Sequence, residues 1–448
     1  MKKTVREVAL ETLLVIEKGQ AFSNIAVNAA LEKNLVNGKD IPLFTELVYG
    51  TLQRKMTLHY LLTPFIKGKK IDDWVLWLLS LSIYQLEFLD RIPEHAILNE
   101  AVEIAKKKGH KGTSGFVNGV LRSYLRSEKV SFESIKNVEE RLSLQYSYPL
   151  WLVKEWIEHF GEKVTEEICQ SMLIPPTKDG RVNETTISKE QAIQALEEEG
   201  YTVEEGKLAP VCITISSGNL AHTALYQEGG ISIQDESSML VGYAVNPKEN
   251  DTVLDCCAAP GGKTSHIAEK LNGKGKVVAV DLHQHKVKLI DKQTKRLHLN
   301  NVETTASDAR LLSAEFEEES FDVILVDAPC SGLGVIRRKP EIKYTKTKED
   351  CQKLAKISYD ILESVAPLLK KGGKLVFSTC TIEYEENMGN INRFLANHPE
   401  FSLDLSLKDD MPKTIREESY IDGALQILPS QYETDGFFIA RLDRKVTS

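Results

Sequence analysis

The first third of the chain repeats apolar residues at the three-to-four-residue spacing of amphipathic helices. Thr4 and Glu7 form a capping-box pattern, and the helix that they start is predicted to end at Gly19. The same spacing predicts further helices over residues 71–89, 97–108 and 115–126. A polar stretch over 127–141 has the composition of a linker. We therefore predict an all-α domain over residues 1–128.

The middle of the chain changes pattern twice. The segment over residues 144–170 carries three aromatic residues, Tyr146, Tyr148 and Trp151, and a Pro-Pro break follows at 175–176. Short alternating segments follow, including Arg181-Val-Asn183, up to about residue 232. We predict a small α+β subdomain over residues 144–232.

From residue 233 onward, short apolar runs alternate with helical periodicity, which is typical of a mostly parallel sheet covered by helices. The predicted strands are 252–255, 276–281, 302–306, 321–327 and 374–380. The predicted helices begin near Lys263 and span 284–299 and 350–369. Segments 425–428 and 436–442 are expected to close the sheet as an antiparallel pair. The prediction is a multidomain protein with an α/β doubly wound (Rossmann-like) domain over residues 233–448.

Composition adds charge asymmetry to this picture. The net charge is −9, yet residues 1–126 hold 18 basic and 13 acidic side chains, while the remainder holds 38 and 52. A basic amino-terminal module on an acidic body suits a partner rich in phosphates, although an ordinary solvated surface has the same composition. Lysines near the predicted helix ends could meet such a partner: Lys67, Lys69, Lys70, Lys106, Lys107, Lys108 and Lys111.

The chain is expected to be cytoplasmic. Its start lacks an apolar signal segment, and the most apolar stretch, 74–89, is interrupted by polar residues as in a buried core helix. Seven scattered cysteines without a C-x-x-C spacing predict reduced thiols and neither a zinc site nor any other metal.

A glycine-rich turn, Cys256 to Thr264, follows the first strand of the predicted Rossmann-like domain. Its Gly-Gly-Lys-Thr end resembles a P-loop, but position 257 is cysteine where that motif needs glycine, and a G-x-G-x-x-G fingerprint is missing. Asp281 ends the second strand, where a carboxylate accepts ribose hydroxyls, and Asp308 follows the third, near a base amino group. An adenosyl ligand without a pyrophosphate fits these features, so S-adenosylmethionine is the expected cofactor. Its predicted contacts are Cys257, Ala258, Ala259, Pro260, Gly261, Gly262, Lys263, Asp281, Asp308 and Asp327.

Two cysteines follow strands at the edge where ligands of such sheets bind, Cys330 in Asp327-Ala-Pro-Cys-Ser-Gly332 and Cys380 at the end of Ser-Thr-Cys. A thiolate attacks electron-poor carbon, so the pair suggests covalent catalysis. The alternative for either cysteine alone is a small buried hydrophobic residue.

Together, Val-Leu-Asp-Cys-Cys-Ala-Ala-Pro-Gly-Gly-Lys-Thr, Asp-Ala-Pro-Cys-Ser-Gly and Ser-Thr-Cys resemble the motifs of RNA cytosine-5 methyltransferases. The resemblance covers the whole chain and is strongest to the bacterial 16S ribosomal RNA group (Sun/Fmu type), whose amino-terminal domain is similar to the antitermination factor NusB. Residues 115–122 and 435–441 also look like that group. The resemblance implies a monomer that methylates C5 of a cytosine in 16S ribosomal RNA with S-adenosylmethionine.

The same resemblance assigns roles. Cys380 is the nucleophile that adds to C6 of the base, Cys330 assists release of the product, and Asp327 hydrogen-bonds the N3/N4 edge. Arg181 and Asn183 are expected to contact the substrate. Two alternatives stay open: a DNA cytosine-5 methyltransferase, in which the Pro-Cys cysteine attacks, and a non-catalytic RNA-binding factor. The second cysteine favours RNA over DNA, and the intact cofactor loop favours an enzyme.

Overall fold

The computed structural model describes residues 3–446. Its helices are α1 Val5–Glu17, α2 Ser23–Glu32, α3 Ile41–Gln53, α4 Lys55–Ile66, α5 Asp73–Phe88, α6 Glu94–Lys108, α7 Lys111–Arg126, α8 Val138–Tyr146, α9 Leu150–Ser171, α10 Lys189–Glu198, α11 Ala224–Gln227, α12 Glu236–Val245, α13 Gly262–Lys270, α14 Gln284–Arg296, α15 Ile342–Thr345, α16 Lys348–Val365, α17 Met388–Asn397, α18 Leu407–Asp410 and α19 Pro429–Tyr432.

The strands are β1 Asp179–Val182, β2 Val203–Glu205, β3 Cys212–Ile215, β4 Ile231–Ile233, β5 Thr252–Asp255, β6 Lys276–Asp281, β7 Val302–Ala306, β8 Phe321–Asp327, β9 Leu369–Thr379, β10 Phe401–Leu403, β11 Tyr420–Ile421, β12 Ala424–Ile427 and β13 Phe437–Arg444. Contacts divide the chain into two compact units, residues 1–174 with 336–345, and residues 175–335 with 346–448.

The first unit is helical, as predicted. The capping box at the start of α1 is formed, with the Glu7 amide donating to Thr4 Oγ1 over 3.3 Å and the Thr4 amide donating to Glu7 Oε2 over 2.8 Å. The core of this unit is lined by α5, which carries apolar side chains around most of its circumference and buries ten of its sixteen residues. A helix that is apolar all round is stable only inside a bundle.

The first unit is larger than the helical domain predicted over residues 1–128, and the domain bounds stay a prediction. Helices α8 and α9 pack with the amino-terminal helices, since Thr57 Oγ1 donates to the Leu144 carbonyl over 2.7 Å and the Met56 amide donates to Ser147 Oγ over 2.8 Å. The segment 336–345 also belongs here, and Lys343 Nζ donates to the Gln53 carbonyl over 2.8 Å. Such long-range polar contacts leave no local pattern in the sequence.

The second unit contains two sheets. The smaller one has the order β2-β3-β1-β4, with antiparallel pairing throughout. The larger has the order β11-β12-β13-β9-β8-β5-β6-β7, and β10 pairs with β13. Strands β5 to β9 are mutually parallel, and β11, β12 and β13 extend the sheet in antiparallel fashion, which confirms the predicted closing pair.

Strands β5 to β8 have the predicted bounds, whereas β9 begins five residues earlier than expected. Its first residues are Leu-Lys-Lys-Gly-Gly, which lack the apolar alternation of a strand, and Leu369 joins the sheet by pairing with Phe321 beside a register shift. The carboxyl ends of the five parallel strands share one edge, so the polar residues that follow them are brought together.

Candidate active site

The glycine-rich turn connects β5 to α13 at this edge. Gly261 has φ +102°, a left-handed conformation that side chains disfavour, and the helix begins at Gly262. The turn is held by the neighbouring strand, because the Ala258 amide donates to the Val280 carbonyl over 2.8 Å and the Ala259 amide donates to Asp281 Oδ2 over 3.2 Å. Asp281 therefore orients the turn as well as lying where a ribose is expected.

The helix start is suited to an anionic group. Gly261 occupies the N-cap of α13 and offers no side chain to its first amides, so these donors can bind a ligand carboxylate. Beneath the turn, burial raises the pKa of Asp255 to about 7, and Thr264 donates to its Oδ2 over 2.7 Å.

Asp308 lies after β7, as predicted, in a bidentate pair with Arg310. The guanidinium donates to both carboxylate oxygens, and its hydrogen bonds hold the pKa of Asp308 below the ordinary value. Its proposed contact with a base amino group stays a prediction.

The two cysteines meet in the structure. The turns that carry them run side by side, with the Ala328 amide donating to the Ser378 carbonyl over 2.8 Å and the Gly334 amide donating to the Cys380 carbonyl over 3.0 Å. The Sγ atoms of Cys330 and Cys380 are 3.4 Å apart. Both cysteines are partly exposed, whereas four of the other five are buried, namely Cys169, Cys212, Cys256 and Cys351.

Asp327 connects the glycine-rich turn to the two cysteines. Its Oδ2 is 2.7 Å from Lys263 Nζ, and Ser378 donates to its Oδ1 over 2.8 Å. Burial alone would lower the pKa of Lys263, but the Asp327 carboxylate and the nearby Cys380 thiol raise it above its ordinary value. A buried cation beside a thiol favours the thiolate.

The glycine-rich motif predicts only a cofactor contact for Lys263, and no motif marks Ser378 as a site residue. The motif places Lys263 in the first turn of a helix, but only the sheet order brings that turn beside β8. A lysine in the first turn of the helix that follows β5 was the one available signal.

Arg181 and Asn183, predicted to contact substrate, lie at and just after β1 and are completely buried. Arg181 bonds to the Gly262 carbonyl over 2.7 Å and to Glu269 over 2.6 Å. Asn183 Nδ2 donates to the Gly229 carbonyl over 3.1 Å. Both are engaged within the second unit in this conformation, and their contact with substrate stays a prediction.

Within residues 3–446, no group of three or more His, Cys, Asp or Glu side chains is placed to hold a metal ion. Every helix in the same range is too short or too polar to cross a membrane.

The glycine-rich turn after β5, Asp281 at the end of β6 and the paired thiols meet at one edge of a doubly wound sheet, an arrangement typical of S-adenosylmethionine-dependent methyltransferases. The chain belongs to the family described as 16S rRNA methyltransferase RsmB/F, whose model matches residues 242–443. Models of the NusB family and of the ferredoxin-like domain of RsmF/B-like methyltransferases match residues 3–126 and 148–220.

Two of the known proteins match almost the whole chain, and a third shares the fold over part of it. The probable ribosomal RNA small subunit methyltransferase B of Bacillus subtilis is 49% identical over 99% of this chain and 100% of its own. The crystal structure of PH0851 has a TM-score of 0.82 and 26% identity, covering 99% of both chains. NSun6 from Pyrococcus horikoshii shares the fold, with a TM-score of 0.59 and 22% identity over 66% of this chain and 97% of its own. The protein is accordingly a methyltransferase of small-subunit ribosomal RNA that uses S-adenosylmethionine.

Proposed function

We propose that the protein methylates C5 of a cytosine in 16S ribosomal RNA through a covalent adduct between Cys380 and C6 of the base. The observation that supports this most directly is the pair of partly exposed thiols, 3.4 Å apart, beside Lys263 and Asp327 at the cofactor edge. Methyl transfer to a ring nitrogen or to a ribose hydroxyl requires no thiol. Two thiols at the edge where the cofactor binds favour a reaction in which a ring carbon must first be activated as a nucleophile.

The chemistry explains the need for a cysteine. The Cys380 thiolate donates an electron pair to C6, and the electrons of the C5–C6 bond shift so that C5 becomes nucleophilic. S-adenosylmethionine, when bound, would supply the methyl group of its sulfonium to C5, and its sulfur would leave as a neutral thioether. A base then removes the C5 proton, the C5–C6 double bond re-forms from that electron pair, and the C6–S bond breaks to return the Cys380 thiolate.

Lys263 supports the first step. An ordinary thiol with a pKa near 8.5 is only ~3% ionised at pH 7, so an unaided cysteine would react slowly. The ammonium of Lys263 faces both Asp327 and Cys380, and its positive charge stabilises the Cys380 thiolate.

Asp327 would bind the polar edge of the target base. The Asp327 side chain keeps 24% of its surface exposed although it binds Lys263 and Ser378, and a carboxylate has about four acceptor positions. The remaining positions would accept hydrogen bonds from the N3/N4 edge once the ring takes up a proton. A flipped or single-stranded base is required for this approach.

The residues of the glycine turn fit the methyl donor. The amides at the start of α13 would hold its carboxylate, and Asp281 would accept hydrogen bonds from its ribose. The structure of NSun6 from Pyrococcus horikoshii, which shares this fold, was determined with SFG.

The direct test is transfer of a tritiated methyl group to unmodified 16S ribosomal RNA, followed by digestion and nucleoside analysis. We expect the label in 5-methylcytidine. Label in any other nucleoside contradicts the proposal.

Asp281→Ala is expected to weaken S-adenosylmethionine binding by about 10–100-fold, since hydrogen bonds to a charged acceptor contribute roughly 1.5–3 kcal/mol. Calorimetry measures the dissociation constant. Asp291→Ala, which removes an exposed carboxylate from α14, is the control. An unchanged dissociation constant in a folded Asp281 variant rules out the ribose contact.

We also propose that the lysines at the end of α6 dock RNA. Lys106, Lys107 and Lys108 are exposed in the last turn, but Lys107 pairs with Glu7 over 3.1 Å and also serves the fold. Reversing only Lys106 and Lys108 to Glu is therefore expected to weaken RNA binding, and each lost phosphate contact should lower the log–log salt slope by roughly 0.7. Cofactor affinity should not change.

The control is a variant with Lys33 and Lys39 reversed to Glu, because it makes the same change of charge elsewhere in the first unit. If the Lys106/Lys108 variant binds RNA as tightly as wild type, or if both variants lose RNA affinity equally, docking at α6 is contradicted. Deleting residues 1–126 is a poorer test, because Lys343 and the rest of the segment 336–345 pack within the unit that the deletion removes.

A further inference from the structure

Two residues that follow Cys380 have no part in the chemistry described above. Glu386 and Asn387 lie in the turn between β9 and α17, and they are only 1% and 2% exposed. A carboxylate is almost never buried to this extent unless it is paired or hydrogen-bonded. The contacts of Glu386 therefore indicate what it does.

Glu386 holds the turn that carries Cys330. It accepts hydrogen bonds from the Ser331 amide over 2.7 Å and from Ser331 Oγ over 2.5 Å. Ser331 Oγ is also 3.0 Å from Thr381 Oγ1. Ser331 follows Cys330 and Thr381 follows Cys380, so this network joins the two cysteine turns.

The turn that carries Cys380 has its own support. Asn387 accepts from Thr379 Oγ1 over 2.5 Å and donates to the Thr381 carbonyl over 3.0 Å. Its amide thus holds the residues on both sides of Cys380. The charge of Glu386 is directed instead at the Cys330 side.

Charges of opposite sign therefore flank the two sulfurs. Lys263 lies near Cys380. The hydrogen bond between Cys330 and Cys380, burial and the charge of Cys380 hold the pKa of Cys330 well above its ordinary range, and the nearby Glu386 carboxylate adds to this effect. The other titratable groups around these side chains are Asp327, Lys346, Cys351 and Glu383. Burial raises the pKa of Glu386, whereas the Ser331 donors and Lys346 act to keep it ionised.

We propose that Glu386 is a positioning residue that holds the Cys330 turn and keeps the Cys330 sulfur protonated, so that the single negative charge of the pair resides on Cys380. The Cys330 S–H then donates a hydrogen bond to the Cys380 thiolate across 3.4 Å. This inference rests on the proposed function, in which the Cys380 thiolate attacks the base. Which of Cys330 and Cys380 carries the negative charge can nevertheless be measured without RNA or cofactor.

The test is brief alkylation with iodoacetamide at pH 7.5, with peptide mapping of the label on Cys330 and Cys380. In the wild-type chain we expect most label on Cys380. Glu386→Gln keeps an acceptor for the Ser331 amide and removes the charge, so the ratio should shift toward Cys330 on the order of tenfold, one pKa unit. Glu385→Gln, the same change at the exposed neighbouring residue, should leave the ratio unchanged.

An unchanged ratio in Glu386→Gln, or an equal shift in Glu386→Asp, which keeps the charge, overturns the proposal. A second measurement needs no change at Glu386. In Cys380→Ala, the alkylation midpoint of Cys330 should lie above the ordinary thiol value of about 8.5. A midpoint at or below that value also overturns it. Neither result depends on methyl transfer, so failure here and failure of the proposed reaction are distinguishable.

Discussion

Replacing Cys380 with alanine is expected to abolish methyl transfer while S-adenosylmethionine affinity stays within about twofold of wild type. In the proposed mechanism the thiol contacts the base and not the methyl donor, and without its addition to C6 the ring carbon is too weak a nucleophile. Tritiated-methyl transfer measures the first quantity and calorimetry the second. Cys212→Ala, at a buried cysteine of β3, is the matched control and should retain methyl transfer.

Cys330→Ala should instead accumulate a covalent protein–RNA complex that survives denaturing electrophoresis, because release of the methylated product is impaired. The two variants together distinguish the sulfurs, which are only 3.4 Å apart. A trapped complex in Cys380→Ala and none in Cys330→Ala reverses their roles and favours the arrangement of DNA cytosine-5 methyltransferases.

The second large effect is expected for Lys263→Met. This change removes the cation beside Cys380 and leaves Asp327 without its ion-pair partner. Losing a charge-assisted hydrogen bond of roughly 1.5–3 kcal/mol lowers the rate of adduct formation by about 10–100-fold near neutral pH. Rapid-quench measurement of the covalent complex in the Cys330→Ala background gives this rate directly.

The pH dependence separates an electrostatic role from a structural one. Lys263 favours the thiolate, so its removal raises the pKa of Cys380, and the rate should recover as the pH rises. Lys263→Arg keeps the charge and should retain a profile close to wild type. If Lys263→Met lowers the rate of adduct formation equally at every pH, thiolate stabilisation is contradicted, because raising the pH does not restore the position of a displaced loop.

Strand positions in the second unit were predictable because each buried strand is a short apolar run between turn residues. Strands β5 to β8 have the predicted bounds for this reason. The early start of β9 was missed because Lys370, Lys371 and two glycines show no alternation. They lie within β9 because Leu369 and Lys374 on either side of them pair with Phe321 and Val323 of β8, across a register shift.

The grouping of helices could not be predicted from local pattern. The sequence predicts a small subdomain over residues 144–232, and contacts in the structure group residues 144–174 with the amino-terminal helices, so the domain bounds stay a prediction. The segment 336–345, far along the chain, joins the same unit through Gln53, which bonds to the Ile336 carbonyl over 3.1 Å. Pairings between residues hundreds of positions apart follow from tertiary packing alone.

The sequence by itself determined the class of fold, the cofactor turn and the two cysteines, because periodicity and strand-end motifs are local properties. Only the tertiary structure brought Lys263 to Asp327, placed the sulfurs 3.4 Å apart and directed the buried Glu386 at the turn of Cys330. It also buried Arg181 among internal partners. The electrostatics that distinguish two identical thiols depend on distance and burial, and both arise only when strands remote in sequence share one edge of a sheet.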